Sequence, residues 1–306
     1  MNISLFCFGL GYSARFAIAD LQPESVWGTT RTAEKLHALA GLGAMPLIFD
    51  GVAGAPHNGA VEDAVAEASH VLVSIAPEAQ GDPVLAVFRD ALAEAQPMAI
   101  CYLSTVGVYG DHGGAWVDET TPCQPVSERS KRRLDAEEAW LEFGEEVGVP
   151  VSVIRLAGIY GPGRGPFRKL RDGTSRRIIK HGQVFNRIHG EDIGRIVAAA
   201  LGQQAVGIFN GADDEPAPPQ DVIAYAAKLL GMEPPPEVPF EEAEMSPMAR
   251  SFYGENKRVR NDKIKTELGV NLAYRSYREG LAATLAAERA PSGGTVQALA
   301  RQKHIG

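Results

Sequence analysis

Several things are scarce in this chain, and each scarcity removes a class of function. There are only three cysteines, Cys7, Cys101 and Cys123. They form no Cys-x-x-Cys pair and no cluster with histidine, so neither a metal site nor a disulfide framework is expected, and the thiols read as buried in a reducing compartment. Positive charge is outweighed: 30 Lys and Arg face 38 Asp and Glu, for a net charge of −8. A general affinity for nucleic acid or for an anionic membrane is therefore not expected. The opening MNISLFCFGLGYS lacks a basic leader segment, and no apolar run approaches membrane-spanning length. The expected location is cytoplasmic. Internal repeats and low-complexity tracts are also missing.

What is present is an alternation. Within 306 residues, short apolar runs at Ile3–Phe8, Ser25–Gly28, Met45–Phe49, His70–Ile75, Ala99–Leu103 and Val151–Leu156 are separated by stretches of helical spacing. The clearest helices are expected at Ala14–Leu21, Ala33–Leu39, Val61–Ala68, Val84–Ala95 and Ser127–Glu146. Nearly continuous apolar strands between helices predict a parallel sheet covered on both faces, and right-handed crossovers make it doubly wound. The fold class is α/β, of Rossmann type, with a smaller discontinuous C-terminal lobe. Residues 1–165 are expected to form the dinucleotide-binding unit, completed by about 189–212. Residues 166–188 and 213–290 would form the substrate-side lobe, and 291–306 a flexible tail.

The turn after the first strand reads FGLGYSA. Gly9, Gly11 and Ala14 fit G-x-G-x-x-A: a glycine for the tight turn, a glycine where backbone approaches a pyrophosphate, and a small residue where helix meets strand. Leu10, Tyr12 and Ser13 complete the turn, and the helix start offers N–H groups and a positive dipole to phosphate. At the end of the second strand an NAD enzyme usually carries a carboxylate for the adenosine ribose. Here Thr29, Thr30 and Arg31 come first, with no carboxylate before Glu34. Arginine pairs well with a 2′-phosphate, which favours NADP over NAD; the alternative is a solvated surface arginine.

Further stretches, LSTVGVYG, RLAGIYGPGR, NRIHGEDIG and ELGVNLAYRSYREGL, together with GLGYSA, resemble the extended short-chain dehydrogenases/reductases, whose best-known members are NAD(P)-dependent sugar-nucleotide epimerases and dehydratases. The resemblance runs over roughly 2–281. It implies that Thr105 hydrogen-bonds a substrate oxygen, and that Asp50 meets the adenine. Ser74, Ala76 and Pro77 would lie along the cofactor, Lys131 would bond the nicotinamide ribose, and Ala157 and Gly158 would border the nicotinamide. The family signature is Tyr-x-x-x-Lys, and Ser127 stands where the tyrosine is expected. A serine hydroxyl is far less acidic than a phenol, so Lys131 cannot make it an equivalent base. Ser127 also resembles a helix N-cap. Tyr109, Tyr160 and His112 are the candidates for a substitute acid/base, with a structural role the favoured reading of each. The pattern is that of an atypical member, either an enzyme with altered machinery or a protein that binds NADP(H) without turning it over.

From Arg164 to Arg187 there are eight basic residues and a single acidic one, Asp172. By the resemblance this segment borders the substrate cleft, so Arg164, Arg168 and Arg187 are candidate ligands for a small, anionic or phosphorylated substrate; a solvated basic face is the other reading. His189 reads as a structural family residue and Asp192 as the cap of a helix over Ile193–Leu201. The resemblance also admits a homodimer.

Overall fold

The computed structural model describes residues 2–52 and 59–290. The tail expected over 291–306 lies outside the described residues.

Strand β1 (Ser4–Phe8) leads through the glycine turn into α1 (Tyr12–Leu21), then β2 (Ser25–Thr30), α2 (Leu36–Ala40), β3 (Met45–Ile48), α3 (Ala60–Glu67) and β4 (His70–Val73). α4 (Pro83–Ala95), β5 (Ala99–Thr105), β6 (Trp116–Val117), α5 (Glu128–Val147) and β7 (Val151–Leu156) follow. The C-terminal part comprises β8 (Gly158–Tyr160), α6 (Phe167–Arg171), β9 (Arg177–Ile179), β10 (Arg187–His189), α7 (Gly190–Gly202) and β11 (Gly207–Gly211). It ends with α8 (Pro219–Leu230), β12 (Glu237–Pro239), α9 (Pro247–Ser251), β13 (Arg258–Val259), α10 (Asp262–Thr266) and α11 (Tyr277–Arg289).

Seven strands form one parallel sheet in the order β11-β7-β5-β4-β1-β2-β3. Chain order reverses direction between β1 and β4, so their C-terminal ends open a crevice where open α/β sheets bind ligands. The pleat of β1 divides its side chains between two cores. Leu5 and Cys7 join the cluster under α1 and α7, while Phe6 and Phe8 join the cluster with Phe88, Trp140 and Phe143 under α3, α4 and α5. Helix α7 lies tight on α1, because a Cβ at Gly194 would stand only 2.6 Å from the Phe16 carbonyl. Asp82 starts α4 by accepting from the N–H groups of Val84 and Leu85 at 2.9 and 3.1 Å, ahead of a proline that suits the first turn.

The smaller lobe has its own core, built from Tyr160, Phe167, Leu170, Val222, Tyr277 and Leu281. Three two-stranded parallel pairs, β8/β10, β9/β12 and β6/β13, tie segments of the C-terminal part to one another and, through β6, to the sheet domain. Strands of two or three residues carry too little pattern to be read from sequence. Helix α7 begins at Gly190 with His189 as its cap, so Asp192 does not start it. Asp192 instead accepts from the N–H groups of Ala273 and Tyr274 at 2.7 and 3.1 Å and pins the approach to α11.

Candidate active site

The glycine turn sits at the C-terminal end of β1. Gly9 has φ +88°, open to glycine without strain. Its N–H donates to the Thr29 hydroxyl at 2.8 Å, and the Leu10 N–H donates to the Thr29 carbonyl at 2.9 Å. Buried Thr29 thus anchors the turn, a role the sequence pattern did not assign. Leu10 anchors the turn from inside: its side chain packs with Val26 and Leu39 over Gly28 and its N–H is used internally. Gly11 is the residue with room, since a Cβ there would meet nothing within 4 Å. Tyr12, Ser13 and Ala14 follow it into α1, a helix with no side-chain cap and no acidic residue in its first turn. An open backbone cradle beside such a helix start fits a dinucleotide pyrophosphate.

Other expected cofactor residues fall around this turn. The Ser74 hydroxyl, just past β4, donates to the Gly9 carbonyl, and Ala76 and Pro77 continue that loop. Thr30 ends β2, and Arg31 follows it, exposed. Asp50 is exposed and closes its own turn by accepting from Val52 N–H at 2.9 Å. Ala157 is buried at the end of β7 and Gly158 is exposed at the start of β8.

The catalytic set is rearranged relative to expectation. Thr105 ends β5 as expected, its hydroxyl accepting from Gly107 N–H at 3.1 Å. Ser127 is the N-cap of α5: its hydroxyl accepts from Ser130 N–H at 3.1 Å and donates to the Ser130 hydroxyl at 2.9 Å. The capping role, worth about 1 kcal/mol, accounts for its bonds. Lys131 does not enter the crevice, because its half-exposed ammonium pairs with Glu128 at 2.7 Å. Tyr109 is fully buried, its hydroxyl donating to Asn210 Oδ1 at 2.9 Å, and burial raises its phenol to about 12. A phenol turned into the core and held so weakly acidic is no acid/base for this site. Tyr160 is likewise buried, its hydroxyl 3.4 Å from the Ser276 carbonyl, and burial raises its pKa.

Beneath Thr105 lies a cluster that sequence reasoning missed. Arg155, next to the last residue of β7, donates to Glu137 of α5 through Nη2 at 2.7 Å and through Nε at 3.0 Å. The Ser104 hydroxyl donates to the same carboxylate, and the Arg155 guanidinium lies 4.8 Å over the Tyr109 ring. Both charged side chains are at most 3% exposed. An arginine inside the apolar run VSVIRL was the signal: a charge there demands a buried partner.

The basic segment divides. Arg187 and Arg176 line a cavity of about 260 Å³ with Tyr160, Tyr253 and Tyr277. Arg187 is held by the carbonyls of Phe185 and Ala217 at 2.9 and 3.1 Å. Arg168 is exposed and does not line it. Arg164 leaves the group altogether: its guanidinium stacks 4.3 Å over the ring of Tyr12, beside the glycine turn. Arg171 and Arg177 pair with Glu288 and Glu237 at 3.3 and 3.1 Å. Among the described residues no group of three His, Cys, Asp or Glu is placed to hold a metal ion, and no helix is long and apolar enough to cross a membrane.

Residues 64–206 match the family described as NAD dependent epimerase/dehydratase. A conserved protein of unknown function from Silicibacter pomeroyi DSS is 49% identical in sequence; the alignment covers 93% of this chain and 99% of that one, with a TM-score of 0.84. That family match covers just under half of the chain. Protein YeeZ of Escherichia coli (strain K12) is 36% identical over 187 residues, 60% of this chain and 61% of its own length. The match therefore spans less than two thirds of that relative. DesIV, a dTDP-glucose 4,6-dehydratase from Streptomyces venezuelae solved with NAD and TYD bound, shares the fold: TM-score 0.73 at 16% identity, over 93% of this chain and 96% of that one.

His189 is structural. Its Nδ1 accepts from Glu191 N–H at 3.2 Å, so the ring proton sits on Nε2 and is donated to Thr284 at 3.2 Å. Burial, with a smaller contribution from Arg195, lowers its pKa from 6.5 to about 4. The folded pKa lies below the unfolded one, so the unfolded chain takes up the proton first as pH falls. Stability from this group is intact above pH 6.5 and is lost progressively down to about pH 4. The loss is expected to reach up to roughly 3 kcal/mol. Denaturant midpoints across pH 4 to 8 should show this slope in the wild type and a shallower one in His189→Gln; parallel curves would contradict the assignment.

Proposed function

We propose that this protein is an NADP-dependent oxidoreductase of the epimerase/dehydratase type, acting on a small anionic, sugar-nucleotide-like or phosphorylated substrate. The observation that carries the reading is the open glycine cradle at the β1/β4 switch point, anchored by Thr29 and Ser74. Gly9, Gly11, Ser13 and Ala14 would receive the pyrophosphate, with Arg164 beside them over Tyr12. Ser74, Ala76, Pro77, Ala157 and Gly158 would border the rest of the dinucleotide, which supplies hydride chemistry when bound. Thr105 would orient a substrate oxygen at the end of β5. An anionic part of the substrate would enter the cavity of Arg176 and Arg187, where guanidinium groups and tyrosine rings offer charge and stacking surface together.

NADP preference rests on Arg31. Fluorescence titration should give tighter binding of NADPH than of NADH, and Arg31→Ala should cost NADPH roughly tenfold while leaving NADH unchanged. Equal affinities, or tighter NADH binding, would remove the preference; DesIV carries NAD.

A second reading, a non-catalytic NADP(H) sensor, draws on the same site. The two tyrosines nearest the end of β5 are committed elsewhere: Tyr109 bonds Asn210 and the Tyr102 hydroxyl accepts from Arg133. A substrate-dependent change in nicotinamide absorbance would exclude the sensor. A difference between NADP+ and NADPH in their effect on thermal stability, with no turnover, would favour it.

A further inference from the structure

Helix α5 faces the crevice with a different pair of residues from the one its family signature would select. Arg133 reaches in, its Nη1 donating to the Leu103 carbonyl at 2.8 Å, the Tyr102 hydroxyl at 2.9 Å and the Ile75 carbonyl at 3.3 Å. Those acceptors lie near the C-terminal end of β5 and in the loop after β4, so the guanidinium bridges the ends of these two adjacent strands, on the β4 side of the crevice. All three bonds use Nη1, and the Nε and Nη2 hydrogens make no bond to a described residue.

Helix geometry excludes Lys131 from the same place. Two residues apart means about 200° around the axis, so Arg133 and Lys131 cannot both face inward. The residue that shares the inward face one turn earlier is Arg129, whose guanidinium lies 5.4 Å over the Phe252 ring of the smaller lobe. One turn later on that face is Glu137, buried with Arg155.

We infer that Arg133 is the residue of α5 that holds the nicotinamide-side half of the dinucleotide, with Arg129 ahead of it at the mouth of the cleft. The inference rests on the cofactor reading above and deepens it. A guanidinium offers several fixed donors to ribose hydroxyls and carries no acceptor. This pair therefore orients and does not exchange protons. Arg133 is a positioning residue, and the crevice meets its substrate with two permanent cations in place of a phenol and an amine.

Calorimetric titration of the full chain tests this with a dinucleotide and its adenosine fragment: NADPH with adenosine 2′,5′-bisphosphate, and NADH with ADP. Arg133→Ala is expected to weaken the dinucleotide roughly 10- to 100-fold, the effect of losing charge-assisted bonds, and to leave the fragment within about twofold. Arg133→Lys should recover most of the loss, and Lys131→Ala should change neither ligand. The inference is overturned if Lys131→Ala weakens the dinucleotide while Arg133→Ala does not. Equal losses of dinucleotide and fragment in both Arg133→Ala and Arg133→Lys also overturn it, since they would report a damaged fold. If the wild type binds the fragments but gains nothing from the nicotinamide half, Arg133 has no such role. If it binds neither, the cofactor reading itself falls.

Discussion

Glu137→Ala is expected to cost about 3–5 kcal/mol of folding stability, among the largest effects of any single substitution in the chain. The alanine would leave the Arg155 guanidinium, 3% exposed, without the carboxylate that receives its Nε and Nη2 hydrogens. The Ser104 hydroxyl would lose its acceptor as well. The expense lies in the abandoned charge rather than in the value of the pair, because two ions taken from water recover little net energy from each other. Removing both charges at once should therefore be milder: Glu137→Leu combined with Arg155→Met is expected to recover most of the loss. Urea midpoints and slopes for the two single variants and the double variant form the cycle that measures it. A loss below about 1 kcal/mol in Glu137→Ala would mean that water or a rearranged neighbour satisfies Arg155, and the cluster would lose its place as the support of the β5 end.

The same cluster shows what the sequence conceals. Strands such as His70–Val73 and Val151–Leu156 were legible because they are buried on both faces and therefore mostly apolar. The glycine turn was legible because its spacing follows from backbone geometry. The active face of α5 was not. ERSKRRLDAEEAW carries charge on every side, and its two inward charges, Arg133 and Glu137, are the kind of residue that periodicity assigns to solvent. The apolar residues Leu134 and Ala139 of this helix are only half-buried, while Glu137 is 1% exposed. Serine and lysine at the right spacing drew attention to Ser127 and Lys131, yet spacing alone does not fix which face of a helix turns inward. The basic run from Arg164 to Arg187 failed for a related reason. Its members are adjacent in sequence, but a five-residue helix, a short strand and two turns disperse them to the glycine turn, the surface and the cavity.

Gly11→Ala and Gly9→Ala should separate binding from folding at the first turn. At Gly11 φ is −95°, a conformation alanine adopts freely, and the added Cβ would meet nothing within 4 Å. Its cost to stability should stay within about 1 kcal/mol, the range for alanine at a helix N-cap. The methyl would instead project into the open backbone surface assigned to the pyrophosphate. Displacing a phosphate by even 1 Å from N–H groups and a helix start weakens each charge-assisted bond there, so dinucleotide affinity is expected to fall about 100-fold or more. At Gly9 the backbone has φ +88°, and a Cβ would stand 2.6 Å from Ile75 Cγ2 and 2.9 Å from Ser74 Oγ. That variant should lose binding and also about 1–3 kcal/mol of stability, because left-handed strain and the collision with the β4 loop act on the empty protein. Thermal melts with and without NADPH read both quantities in one experiment. Gly11→Ala should melt like the wild type and gain nothing from the cofactor, whereas Gly9→Ala should melt lower from the start. A Gly11→Ala protein still stabilised by NADPH to the wild-type extent would show that the turn is a structural joint and that the cofactor, if bound, lies elsewhere on the sheet edge.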